Sequence, residues 1–229
     1  MGKVILVMHR QIFLTWLLCR WSVRGIEPLL VDSNNGKLPK ASQSHRNTAK
    51  SDRNQQPQSP PIGSSSLKQK LDHFNSNDRR EWLQYYMHRK SPYQSPDGAV
   101  FLVVSGEDEA DRNWLANERL PHVELADRIN ASIFLLEHRF YGTSRPTNDT
   151  SIENLKYLNA RQATKDIDGF VKEVNRREKL TNPKWITFGG SYSGSLAAWA
   201  REKHPRTIRA AVASSAPLQA KLNFKGMKF

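Results

Sequence analysis

The chain has a single cysteine, Cys19, among its 229 residues, and it lacks the motifs that accompany most metal and nucleic-acid sites. One cysteine supports neither an intramolecular disulfide nor a cysteine-based metal centre. No zinc-finger spacing and no RNP-type motif accompanies the basic residues. The apolar run at residues 12–19 is too short to span a bilayer. We therefore expect no metal, no cofactor, no nucleic-acid partner and no stable membrane span.

Acidic residues are also few, with 22 Asp and Glu against 35 Lys and Arg, which gives a formal net charge of +13. The excess is uneven, because residues 1–66 hold nine basic and three acidic residues. The remaining 163 residues hold 26 basic and 19 acidic residues. This balance favours a solvated basic surface over a nucleic-acid interface.

The first 66 residues divide into a leader and a linker. In residues 1–24, Lys3, His9 and Arg10 precede the apolar run, which fits a secretory signal peptide. Arg20 and Trp21 make a poor cleavage site, so an unstructured leader or a misassigned start stays open as an alternative. Residues 25–66 are rich in Ser, Asn, Gln, Pro and Lys, and we predict a disordered linker. The folded domain is expected at 67–229.

Strand and helix patterns alternate through that domain. A hairpin is predicted from strands at 71–74 and 81–88, and continuous apolar runs at 99–104 and 132–136 predict strands buried on both faces. An amphipathic helix is predicted at 160–180, then a strand at 184–188 and another at 208–213. The alternation predicts an α/β fold with a mostly parallel sheet, whose active site lies at the carboxyl ends of the strands.

The stretch at 184–201 combines a short strand, a tight glycine turn and a helix around Ser191. A nucleophile elbow has this arrangement, with small residues two positions before and after the serine, here Gly189 and Ser193. The N–H of Tyr192, at the helix N-terminus, can then stabilise an oxyanion. An ordinary turn or a phosphate-binding turn is the alternative, although no G-K-[ST] follows. Ser193 is the weaker nucleophile candidate.

Five collinear segments resemble the prolyl carboxypeptidase and dipeptidyl peptidase type of serine peptidase, the lysosomal Pro-Xaa carboxypeptidase family. They are residues 69–75 (QKLDHFN), 137–144 (EHRFYGTS), 154–158 (NLKYL) with Gln162 and Ala163, 188–194 (FGGSYSG) and 213–217 (ASSAP). The resemblance covers about residues 69–224, in family order. It implies an α/β-hydrolase fold, of which the chain matches only the N-terminal part, before the cap and the last strands.

The resemblance also implies a function. Peptides would be cleaved next to proline or a small residue, one or two residues from an end, by an acyl-enzyme at Ser191. Tyr192 and Gly106 would supply the two oxyanion N–H donors, and Glu107 is a candidate for meeting a substrate amine or is a solvated loop carboxylate. The segment around His138 would support the site. Secretion or lysosomal delivery, and a homodimer of the full-length form, are further expectations.

The acid and the base of the triad are not evident. Hydrolases of this fold place them after the serine, where Glu202 and His204 occur on the elbow helix, too far along it to return to Ser191. The earlier histidines are in the wrong chain order and are expected in loops or at the surface, with His138 the one to test. Asp166 and Asp168 are expected on a helix surface. A catalytically inactive product and a lipase or esterase therefore remain alternatives to the exopeptidase.

Two glycosylation sequons occur, at Asn130 and Asn148. They matter only if the chain is secreted. Asn148 lies in a predicted loop and is the better acceptor of the two. Carboxypeptidase and dipeptidyl peptidase specificity cannot be separated by these motifs.

Overall fold

A computed structural model describes residues 4–7 and 60–219. Across these residues the chain forms one seven-stranded sheet in the order β1-β7-β6-β4-β5-β3-β2. The strands are β1 (Val4–Val7), β2 (Ile62–Lys70), β3 (Glu81–Arg89), β4 (Ala99–Val104), β5 (Ser132–Leu136), β6 (Lys184–Gly190) and β7 (Ile208–Ser214). The helices are α1 (Asn113–Ala116), α2 (Pro121–Arg128), α3 (Ile152–Leu155), α4 (Ala160–Arg177) and α5 (Tyr192–Lys203).

The centre of the sheet is parallel and one side of it is antiparallel. The five adjacent strands β5, β4, β6, β7 and β1 run parallel to one another. Strand β3 pairs antiparallel with β5, and β2 pairs antiparallel with β3. The expectation of an α/β fold with a mostly parallel sheet is confirmed, and the carboxyl ends of β4, β5, β6 and β7 lie at one edge of the sheet.

The two apolar runs form the centre of the core. Every residue of β5 is buried, as are five of the six residues of β4. One face of the sheet packs against α4 and α5, with Phe170 and Leu196 fully buried. The other face packs against α1 and α2 through Leu115 and Val123. Both predicted strand ranges match, because strands covered on both faces read as nearly continuous apolar runs.

Helix α4 begins and ends at clear capping signals. The side chain of Asn159 accepts a hydrogen bond from the N–H of Gln162 at the N-terminus. At the C-terminus Lys179 adopts φ 54°, and the N–H of Leu180 donates to the carbonyl of Asn175. The helix therefore stops at Arg177, three residues before the predicted end.

The first strand of the N-terminal hairpin lies earlier in the chain than predicted, while the second, β3, matches its predicted range to within one residue. Strand β2 starts at Ile62, inside the segment expected to be linker, and residues 71–74 follow it outside the strand. Its residues alternate, with Leu67 and Gln69 buried and their neighbours exposed. A strand at the sheet edge needs only one apolar face, so the serine-rich sequence did not predict it. The rest of the predicted linker and leader, apart from residues 4–7, lies outside the described residues.

Two further expectations are wrong. Asp166 and Asp168 are buried on α4 and do not lie on its surface. Asp166 accepts from Arg139, which follows β5, and Asp168 accepts from Lys172, one turn along α4, and from Thr207.

His122 is buried on α2, although the earlier histidines were expected in loops or at the surface. His138 does lie in a loop, after β5, but it is buried there. In the part of the chain that the structure describes, no helix combines the length and apolarity needed to cross a membrane.

Candidate active site

Ser191 stands at a strained turn between β6 and α5. Its backbone adopts φ 54° and ψ −129°, a conformation that non-glycine residues rarely take and that costs about 1–3 kcal/mol. Its N–H donates to the carbonyl of Ser214 at 2.9 Å, and its carbonyl accepts from the N–H of Ser195 at 3.1 Å. These bonds tie the turn to the end of β7 and to the first turn of α5. The turn therefore has the geometry of a nucleophile elbow.

Close packing at the turn explains the glycines around Ser191. A Cβ at Gly189 would overlap the backbone carbonyl of Ser193 and would lie 2.7 Å from the nitrogen of Gly194. A Cβ at Gly194 would lie 3.0 Å from the carbonyl oxygen of Gly189. At Gly190, in contrast, a Cβ would meet nothing within 4 Å. Positions 189 and 194 are thus sterically restricted, and position 190 is not.

The two candidate serines differ in their surroundings. Ser193 is buried, and its hydroxyl donates to the carbonyl of Gly190 at 2.8 Å and accepts from the N–H of Gly190 at 3.0 Å. Ser191 is exposed, and among residues 60–219 its hydroxyl takes part in no hydrogen bond. Ser191 is the serine available to an incoming substrate, while the hydroxyl of Ser193 stabilises the turn through its two hydrogen bonds to Gly190.

Two backbone N–H groups at or near the turn that carries Ser191 are candidates for an oxyanion hole. The N–H of Tyr192 is at the first position of α5, where helical N–H groups lack a partner within the helix. Gly106 follows β4 and lies against the same turn, since its Cβ position is 3.9 Å from the nitrogen of Ser193. No hydrogen bond within the described part of the chain uses either N–H.

A polar cluster borders the other side of Tyr192. The Nδ1 of His138 lies 2.7 Å from the carbonyl oxygen of Arg139, which can only accept, so Nδ1 carries the proton. In the neutral ring Nε2 then accepts from the hydroxyl of Tyr192 at 3.2 Å. Burial raises the pKa of Tyr192 to about 12, with the nearby Tyr141 and Glu107 contributing. Burial also lowers the pKa of His138, so both the phenol and the imidazole are neutral near pH 7.

No described histidine acts on Ser191. His138 contacts the ring of Tyr192, and His73 contacts Asp166 at 2.7 Å. His204 follows the last residue of α5, where it lies 3.7 Å from Asp168. Glu202 is on the last turn of the same helix. Within residues 60–219 the site therefore holds an exposed serine and candidate oxyanion donors, and no described histidine contacts that serine.

Sequence reasoning missed a buried ion pair behind the site. Arg139 is fully buried and donates from Nε and Nη2 to the two carboxylate oxygens of Asp166, at 2.6 and 2.8 Å. It also donates to the carbonyls of Leu71 and Tyr157. Two segments of the family resemblance, at 69–75 and 137–144, contribute Leu71 and Arg139 to this cluster. Their joint presence in the sequence was the signal available for it.

Acid is expected to weaken the fold through its buried histidines. Burial lowers the pKa of His88, His122 and His138 below the usual 6.5. The unfolded chain then binds more protons than the folded chain below pH 6.5, so stability is greatest above that pH. As the pH falls from 6.5 to the pKa that a histidine has in the folded chain, that histidine lowers the free energy of unfolding by up to about 1.4 kcal/mol per pH unit. Urea unfolding at pH 7.5 and 5.5 measures the loss, and His138→Gln should reduce it. A fold that is more stable at pH 5.5 would contradict this.

The parallel sheet and the strained serine turn at its carboxyl edge define the chain as an α/β hydrolase by fold. The peroxisomal α/β-hydrolase Lpx1 of Saccharomyces cerevisiae superposes with a TM-score of 0.51 at 12% identity, over 72% of this chain and 46% of that chain. A match at this identity supports the fold alone.

The family model of serine carboxypeptidase S28 matches residues 69–228. The chain belongs to this family, and the resemblance inferred from its motifs is confirmed. A putative serine protease of Caenorhabditis elegans is 45% identical over 165 residues, which are 72% of this chain and 32% of the relative. The human thymus-specific serine protease is 41% identical over 69% of this chain and 30% of its own length.

The human lysosomal Pro-X carboxypeptidase is 34% identical over 66% of this chain and 31% of its own length. The chain thus spans about a third of the length of the curated relatives it matches.

Proposed function

We propose that this chain carries the nucleophile of a serine-type exopeptidase, with Ser191 forming the acyl-enzyme. The observation that supports the proposal is the strained, exposed Ser191 at the carboxyl edge of the sheet, with unpaired N–H groups beside it. Family membership narrows the chemistry to peptide hydrolysis. The domain of residues 67–229 would then be the N-terminal part of a peptidase domain.

The proposed chemistry assigns one task to each group. The hydroxyl oxygen of Ser191 attacks the scissile carbonyl carbon, and its proton passes to a general base. The N–H groups of Tyr192 and Gly106 donate to the oxygen as it becomes negatively charged. The base returns the proton to the leaving amine, whose departure leaves an ester on Ser191, and water then hydrolyses that ester. Among the contacts of residues 60–219, no carboxylate and histidine pair meets Ser191 to serve as that base.

A catalytically inactive role is the second candidate, and one observation favours it. The Ser191 hydroxyl has no base among the described residues, and a serine without a base keeps an ordinary high pKa. In well-studied hydrolases a residual catalysis of about 10³–10⁴ over water survives the loss of any triad member, and it comes from the oxyanion hole and substrate binding. Only activity that Ser191→Ala removes would therefore favour the exopeptidase over the inactive role.

The substrate we propose is a peptide with proline or a small residue near one end. The name of one relative, lysosomal Pro-X carboxypeptidase, supports a terminal cleavage next to proline. Glu107 is exposed beside Tyr192, where its carboxylate could meet a substrate amine. A dipeptidyl peptidase would use that contact because it binds the terminal amine of its substrate. A carboxypeptidase would not, since it binds the terminal carboxylate.

Secretion or lysosomal delivery and a homodimer of the full-length form belong to the same proposal. Of the sequons, Asn148 and Thr150 are both exposed, whereas Ser132 of the Asn130 sequon is buried in β5. Asn130 itself is exposed and adopts φ 56° at the end of α2. We therefore propose Asn148 as the glycan acceptor.

A substrate panel tests the function and the substrate class together. The chain is incubated with an amino-terminal Xaa-Pro amide, a peptide that ends in Pro-Xaa, and a nitrophenyl ester. We expect release from one of the two peptides, and we expect Ser191→Ala to abolish it while Ser193→Ala, which alters only the brace of the turn, retains part of it. Ester hydrolysis without peptide hydrolysis would favour the lipase or esterase alternative. Equal rates for wild type and Ser191→Ala would reject the proposal.

A further inference from the structure

A fully buried carboxylate, Glu137, lies directly after β5 at the carboxyl edge of the sheet. Its Oε1 accepts from the N–H of Ala110 at 3.1 Å. Its Oε2 accepts from the N–H of Ser144 at 2.8 Å and from the hydroxyl of Thr143 at 3.0 Å. Three donors thus surround the carboxylate, and no cation among the described residues pairs with it. The chemistry proposed for Ser191 gives this group no role.

These hydrogen bonds attach the loop that carries Gly106 to the end of β5. At the start of the loop, the N–H of Ser105 donates to the carbonyl of Leu136 at 3.0 Å. At its far end, the N–H of Ala110 donates to Glu137. Between these two attachments, residues 107–109 are exposed and make no other hydrogen bond within the described part of the chain. The conformation of residues 106–109 therefore depends on both attachments.

The turn on the other side of Glu137 is built to keep the carboxylate in place. Gly142 adopts φ 52°, and a Cβ there would overlap Oε1 of Glu137. The hydroxyl of Ser144 accepts from the N–H of Tyr85, which connects the turn to β3. The turn at residues 142–144 therefore holds the carboxylate of Glu137 in place against the sheet. The 105–110 loop is hydrogen-bonded to that carboxylate through Ala110.

We infer that Glu137 is a positioning residue that holds the 105–110 loop through Ala110, so that Gly106 stays against the turn that carries Ser191 and Ser193. The inference rests on the proposed function for its catalytic consequence, since Gly106 is there assigned to the oxyanion hole. A preorganised donor needs this support, because an oxyanion hole that must rearrange during the reaction loses much of its effect.

Glu137→Gln is a sharp probe of the arrangement. The amide has the same shape but only one acceptor oxygen. If that oxygen accepts from Ser144 and Thr143, the amide NH₂ faces the N–H of Ala110, and two donors oppose each other. The reverse orientation places the NH₂ against the N–H of Ser144. Glutamine therefore cannot keep all three hydrogen bonds.

The test measures amide hydrogen exchange of the whole chain, with Asp168→Asn as the matched control. Asp168 is also a buried carboxylate, but it accepts from Thr207 and Lys172, away from the loop. We expect the Ala110 amide to be protected in the wild type and to exchange about tenfold faster in Glu137→Gln than in Asp168→Asn. Reaction of Ser191 with a fluorophosphonate should slow roughly 10- to 100-fold in Glu137→Gln alone.

The two readouts separate this inference from the proposed function. An unprotected Ala110 amide in the wild type would overturn the inference, and this measurement needs no variant to fold. Equal exchange in both variants, or lost Ala110 protection with unchanged labelling of Ser191, would overturn it as well. Absence of labelling in the wild type would count against the proposed function, while exchange at Ala110 would still decide whether Glu137 holds the loop.

Discussion

Asp166→Ala is expected to destabilise the domain by about 3–5 kcal/mol, because it leaves a buried arginine without its counter-charge. Arg139 cannot reach solvent, since it is fully buried and also donates to the carbonyls of Leu71 and Tyr157. The same substitution removes the partner of His73, whose Nε2 lies 2.7 Å from Asp166. Urea unfolding at pH 7.5 measures the loss.

A matched control lies on the same helix. Glu173 pairs with Arg176 and Arg177 on the exposed side of α4, where ion pairs contribute no more than about 1 kcal/mol. Glu173→Ala should therefore leave the unfolding midpoint close to that of the wild type. Equal losses for Asp166→Ala and Glu173→Ala would show that the buried pair does not organise the interior behind the site.

The second large effect is expected at Gly189. In Gly189→Ala the new Cβ would overlap the backbone carbonyl of Ser193, and backbone cannot move aside as a flexible side chain does. The first turn of α5 must then shift, and a displacement of about 1 Å costs on the order of 100-fold in reactivity. We expect the labelling rate of Ser191 to fall by that amount, with destabilisation of about 1–3 kcal/mol.

Gly190→Ala is the neighbouring control. A Cβ at this position meets nothing within 4 Å, and neither glycine requires a positive φ. Labelling and stability should both stay near the wild-type values. If the two alanine variants behave alike, the close packing at Gly189 does not determine the position of Ser191.

The sequence predicted the centre of the fold and not its antiparallel edge. Strands β4 and β5 were identified because burial on both faces requires continuous apolar residues. Strand β2 was missed because its serines face solvent, and only Leu67 and Gln69 point inward in its second half. An exposed edge was expected where the later strands of the full fold would pair, whereas in the structure Val4–Val7 pairs with β7.

Only part of the candidate site was predicted from the sequence. Ser191 was predicted because an elbow requires small residues at fixed, local spacings, and the structure reproduces that local geometry. Asp166 was assigned to a helix surface because its partner, Arg139, is 27 residues away in the sequence. The environment of Glu137 was equally hidden, since it depends on two loops that meet only in the folded chain.

Peptide mapping of the chain after treatment with a fluorophosphonate identifies the serine that reacts. We expect an adduct on Ser191, formed faster than on any other exposed serine and absent from Ser193, whose hydroxyl is hydrogen-bonded to Gly190. An adduct on Ser193, or slow labelling spread evenly over exposed serines, would contradict the assignment of Ser191 as a nucleophile.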